Sequence, residues 1–144
     1  MAARLRVLFD LNILLDVLQH QEEFYDASAR ALSLAEAGLI DGVVAAHSLT
    51  TLFYLLTRYR NVGQARLTLT QLLVFLSVAA VDQAVIEGAL NLPYGDFEDA
   101  VQMAAALYSG AEYLVTRNPQ DFKAGPLTAL QPAELLALIW GLSS

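Results

Sequence analysis

V-L-F-D-L-N-I-L-L-D-V-L, residues 7 to 18, sets two acids, Asp10 and Asp16, and one amide, Asn12, into an otherwise apolar run. An aspartate that closes a buried strand needs a chemical reason, because burying a charge without a partner is costly. Two reasons suggest themselves: a nucleophile that attacks phosphorus, or a carboxylate that helps hold a metal ion. They require different companions elsewhere in the chain.

Outward from that stretch the pattern alternates. RVLF (6–9), GVVAA (42–46), LSVAAV (76–81) and EYLVT (112–116) read as short buried strands, with a weaker fifth near 127–130. Helical stretches fall at 11–19, 22–37, 48–60, 63–75, 82–90, 96–109 and 132–140, with Gly38 and Gly110 as stops. Alternation of this kind predicts an α/β fold of three layers, α/β/α, around a mainly parallel sheet of about five strands. Neither linker nor repeat interrupts it, so residues 1–144 are expected to form a single domain. Polar groups should then gather at the C-terminal strand ends. Asp10 closes the first strand, Ser48 and the threonines follow the second, and Thr116, Arg117 and Asn118 follow the fourth.

Composition narrows the function. Of 144 residues 56% are hydrophobic, enough for a sizeable core, yet no run approaches the roughly 20 apolar residues of a membrane span. The opening M-A-A-R-L-R-V-L-F-D stops at an acid before a signal-peptide core develops, and the chain has no cysteine. A cytoplasmic protein with no membrane partner is expected. Fifteen acids against eight Lys and Arg give a net charge of −7, the reverse of a protein that coats nucleic acid. An acidic nucleic-acid enzyme remains consistent if bound cations offset its site acids.

F-D-L-N-I-L-L-D resembles the opening of haloacid-dehalogenase-type phosphatases, but Asn12 stands where their proton-transferring acid belongs. Their later signature also needs a lysine before a second acidic pair, and the only lysine, Lys123, follows Asp96 and Asp99. The metal explanation uses the acids better. Hard cations such as Mg²⁺ or Mn²⁺ take carboxylates from distant parts of a chain, and Asp10, Asp96 and Asp99 are placed to converge. Asp96 and Asp99 open a helix, near the positive end of its dipole, while Glu98 is expected to face away. D-F-E-D is equally an N-cap with an acid three residues on, a device that needs no metal.

F-D-L-N-I-L-L-D, A-A-H-S-L-T-T-L-F-Y-L-L, D-F-E-D-A-V-Q-M-A-A-A and Y-L-V-T-R-N-P-Q-D-F-K resemble, in order and spacing, the PIN-domain family. The likeness is strongest to the branch with DFEDA and TRN-x-x-DF segments, and it spans about residues 6–135. It implies a Mg²⁺- or Mn²⁺-dependent ribonuclease acting on single-stranded RNA, of a kind that includes VapC-type toxins restrained by an antitoxin protein. Carried over residue by residue, Asp10 matches the first metal-binding acid and Asn12 its companion. Asp99 matches the main acid of the later helix, with Asp96 beside it. Thr116 matches a strand-end hydroxyl, Asn118 stands where many relatives have another acid, and Asp121 follows in the DF pair. Thr51 occupies the place of a usual glutamate. That departure opens an alternative: a catalytically impaired module of the same fold that binds RNA or a protein.

Other residues carry weaker expectations. Ser48 is expected mainly to cap a helix, with Thr50 beside it as a phosphate contact. Arg117 is a candidate for RNA backbone contact. His20 and His47 lack nucleophilic partners and read as structural. Arg58, Arg60 and Arg66 form the one basic concentration, a solvated junction before an RNA track. The apolar stretches 52–56 and 67–76 belong chiefly to the core, with a share left for a homodimer or antitoxin groove.

Overall fold

In the computed structural model residues 4–142 are described; residues 1–3 and 143–144, which complete the expected 1–144 unit and begin the reading of its start, lie outside them. Among the described residues the strands are β1 (Arg6–Phe9), β2 (Asp41–Ala45), β3 (Leu76–Ala79), β4 (Tyr113–Val115) and β5 (Thr128–Leu130). The helices are α1 (Leu11–Leu18), α2 (Glu22–Glu36), α3 (Ala46–Tyr59), α4 (Val62–Leu72), α5 (Gln83–Leu90), α6 (Phe97–Tyr108) and α7 (Pro132–Leu142), with a 3-10 turn at Pro119–Phe122. All pairings are parallel, in the order β3-β2-β1-β4-β5.

Strand alternation builds the two faces. Val7, Phe9, Val44 and Val115 join α1 to α4 and α7 in one core, whereas Leu8, Val43, Ala45 and Leu114 join α5 and α6 in the other. This is the expected three-layer α/β/α arrangement. Gly42 is needed where the layers meet most closely: a Cβ there would lie 2.8 Å from Leu76 and 2.9 Å from Ala35. Gly38 and Gly110 end α2 and α6 with φ of +77° and +81°, a conformation that suits glycine at a helix C-terminus.

The strand order places the site. β1 sits mid-sheet, with β2 on one side and β4 on the other. The chain leaves β1 toward one edge and later returns to fill the other, so a crevice opens beyond the C-terminal ends of β1 and β4. Asp10 and Thr116 are the first residues past those ends. Among the described residues no helix is long and apolar enough to cross a membrane.

Candidate active site

Asp10 is 6% exposed and stands at the N-cap position of α1, yet its side chain caps nothing. Its oxygens turn toward the other chain segments. Oδ1 accepts a 2.7 Å hydrogen bond from Gln102 Nε2 on α6, and Oδ2 a 2.8 Å bond from the Thr116 hydroxyl. The Asp10 amide donates to the Val115 carbonyl at 2.9 Å, which fixes the backbone beneath. Each bond to a buried charge contributes about 1.5–3 kcal/mol. A carboxylate with two donors keeps further lone pairs for a third partner. Thr116 is itself held, since its Oγ1 accepts from the Asn118 amide at 3.2 Å.

Asp96 does cap α6, accepting from the Asp99 amide at 3.2 Å, so the capping reading of D-F-E-D holds for that residue. Asp99 is different. Burial, and then the charges of Asp96, Asp10, Asp121 and Glu98 in that order, push its carboxyl up to about 6. Acids distant in sequence thus bear on Asp99 through their charges. Glu98, expected to face away, is sensed by both Asp99 and His47. Tyr94 senses Asp99 too: burial first, then the Asp99 charge, raises its phenol, whose hydroxyl donates to the Phe122 carbonyl at 2.9 Å.

Several expectations need correction. Ser48 does not cap α3, because that helix begins at Ala46 and takes Ala45 as its cap; the Ser48 hydroxyl is buried without a hydrogen-bond partner. Thr50 and Thr51 turn their hydroxyls back to the His47 carbonyl, at 2.8 and 3.4 Å. Arg117 does not reach outward. Its Nε lies 3.2 Å from Asp16 Oδ2, paired by charge though not aligned for a hydrogen bond, and its guanidinium sits 4.3 Å from the Phe24 ring centre. Arg58 bonds the Tyr54 hydroxyl and Arg66 lies over the Phe53 ring. Arg58 is eleven residues along α3 from His47, roughly 16 Å from the acid end, so the solvated-junction reading is the better one. His20 stacks on Tyr25 in a left-handed turn after α1, and His47 is desolvated in α3, which lowers its pKa although the Glu98 and Asp10 charges oppose. Asn12 lies half-buried in the first turn of α1.

Gln102 was not foreseen. It is 1% exposed, and the signal was a lone amide one turn after Asp99 on a helix face otherwise made of Ala, Val and Met. Its Oε1 has no hydrogen-bond partner beside Asp10.

The profile of the family described as PIN domain matches residues 6–120. The chain belongs to the PIN-domain family. Among solved structures, this PIN domain is similar to a chain of a toxin-antitoxin complex from Klebsiella pneumoniae. The TM-score is 0.68 at 24% identity, over 88% of this chain and 97% of that one. It is similar also to a chain of VapBC2 from Rickettsia felis bound to a promoter DNA fragment, with TM-score 0.67 at 19% identity over 88% and 98%. A third is VapC20 of Mycobacterium tuberculosis, a toxin that cleaves the Sarcin-Ricin loop, with TM-score 0.58 at 16% identity over 75% and 86%. At these identities the likeness concerns the fold. No curated protein matches the sequence.

The donor set fits a hard cation of modest demand. Among the described residues no three Asp, Glu, His or Cys side chains are grouped so as to enclose an ion by themselves. What the PIN domain offers is a rigidly held carboxylate, Asp10, whose charge reaches a second, Asp99, that is uncomfortable as an anion, together with the buried carbonyl oxygen of Gln102. Mg²⁺ and Mn²⁺ use one or two carboxylates and complete their shells with water and substrate phosphate.

Proposed function

We propose that this PIN domain is a Mg²⁺- or Mn²⁺-dependent endoribonuclease that hydrolyses phosphodiesters of single-stranded RNA. The observation that carries the proposal is the buried Asp10 carboxylate at the end of β1, both of its oxygens held by Gln102 and Thr116, and the raised carboxyl of Asp99 supports it. A cluster that repels itself is relieved by a divalent cation, and oxygen ligands select a hard one. Asp10 and Asp99 would hold it, with Asp96 and Asp121 orienting its water. A cation bound there supplies Lewis-acid polarisation of the phosphate and an acidified water. Gln102 and Thr116 keep both Asp10 oxygens in place, so the carboxylate need not reorganise during the reaction. No side chain need act as a nucleophile.

The same proposal extends to biology. The chain acts as the toxin of a toxin-antitoxin pair, restrained in the cytoplasm by an antitoxin protein, and works as a homodimer. Supporting this are the fold shared with chains of such complexes and the apolar side chains left at the surface along α3 and α4, among them Tyr54, Tyr59, Val62 and Leu67.

A second reading rests on Thr51, whose hydroxyl is turned to its own helix and brings no negative charge. It makes the chain a PIN-fold module that binds RNA or protein without cutting. Cleavage of a single-stranded RNA in Mn²⁺ by the natural chain, Asp10→Asn and Asp99→Asn tests the choice. Loss of cutting in both variants supports the nuclease, and equal trace activity in all three supports the binding module.

A further inference from the structure

Two consecutive residues past β4 point to opposite faces, as strand alternation requires. Thr116 turns toward α6 and holds Asp10, while Arg117 turns toward α1 and α2 and meets Asp16. Asp10 precedes α1 and Asp16 lies near its end, so two braces join that helix to residues 116–117. The second brace is unusual in its chemistry. Asp16 is fully buried, and its Oδ2 accepts a 2.9 Å bond from Ser28 while Arg117 Nε lies at 3.2 Å. The guanidinium lies over the Phe24 ring, 4.3 Å from its centre, so three elements, α1, α2 and the β4 end, meet there. A buried acid of this kind is expensive to keep, since an apolar pair of similar volume would commonly be as stable or more so. Stability alone does not account for it.

We propose that Asp16 is a positioning residue: through Arg117 it fixes the course of the chain after β4, and with it the Thr116 hydroxyl that orients the Asp10 carboxylate. Its relevance to catalysis rests on Asp10 being a metal ligand, as proposed above. Partners one step removed from a ligand commonly set its affinity by ten- to a hundredfold.

The test is amide hydrogen exchange on the whole chain without metal, comparing the parent with Asp16→Asn and Phe24→Leu. The second variant keeps both charges and removes only the ring face beneath Arg117. Exchange at Asn118, whose amide donates to Thr116 Oγ1, and at Asp10 should quicken by about tenfold, as losing one contact to a charged group eases local opening, while Leu8 in mid-sheet is unchanged. Unaltered exchange at Asn118 and Asp10 in a folded variant overturns the proposal. So does an equal acceleration at Leu8, which marks a general loss of stability. If Asp16→Asn does not fold, Phe24→Leu decides. RNA cleavage adds a second readout, expected as a lower kcat with KM retained. A parent that cuts no RNA defeats the nuclease reading alone, because exchange still tests the brace.

Discussion

Replacing Asp99 by asparagine removes a charge and keeps the side chain's shape, and the metal-free protein should become more stable. An acid that titrates higher when folded binds protons more tightly in that state, so it takes stability away as pH rises between the two values. For Asp99 the interval runs from its ordinary 3.8 to about 6. Above it the carboxylate is charged folded or unfolded and the whole penalty applies, about 3 kcal/mol at about 1.4 kcal/mol for each tenfold change in proton affinity. Asp99 is partly exposed, and screening by water reduces this to about 1.5 kcal/mol. Losing an acid from the first turn of α6 opposes the gain by about 0.5 kcal/mol. The remaining ~1 kcal/mol corresponds to about 2–4 °C in Tm for a domain of this size. Thermal unfolding by circular dichroism in chelator should therefore show Asp99→Asn melting above the parent near pH 7.5. The gap should narrow as pH falls through 6 and vanish below about pH 4, where the Asp99 carboxyl is protonated in both states and neither the penalty nor the helix-end charge remains. A variant that melts with or below the parent at pH 7.5 would refute the electrostatic account of the site.

Gln102→Leu leaves the buried Asp10 Oδ1 without its donor and should cost about 1–3 kcal/mol in urea denaturation, with RNA cleavage reduced more than the fraction of unfolded protein explains. Thr51→Glu adds a carboxylate where the sequence resemblance expects one; calorimetry should show Mn²⁺ affinity rising by about tenfold, because ligand charge sets cation affinity. Unchanged affinity would mean that position 51 does not face the ion.

The layers, the parallel sheet and the place of Asp10 at the end of β1 were legible because strand periodicity and strand-end polarity are local signals with a fixed spatial meaning. Side-chain direction was not. Ser48 was expected to cap because it follows a strand, but α3 starts two residues sooner and swallows it. Arg117 between Thr116 and Asn118 suggested a substrate contact, and only the position of α1 and α2 reveals that Asp16 and Phe24 claim it. Gln102 resembled one polar break in an apolar helix, since a partner 92 residues away leaves no trace in local pattern.

In the proposed nuclease Asp10 and Asp99 together bind a divalent ion, and a calorimetric titration of Mn²⁺ into four proteins measures that directly: the parent, Asp10→Asn, Asp99→Asn, and Asp26→Asn, whose acid is exposed and pairs with Arg30. The parent and Asp26→Asn should give the same isotherm, and the two site variants should bind at least about tenfold more weakly. Four superimposable isotherms would contradict it.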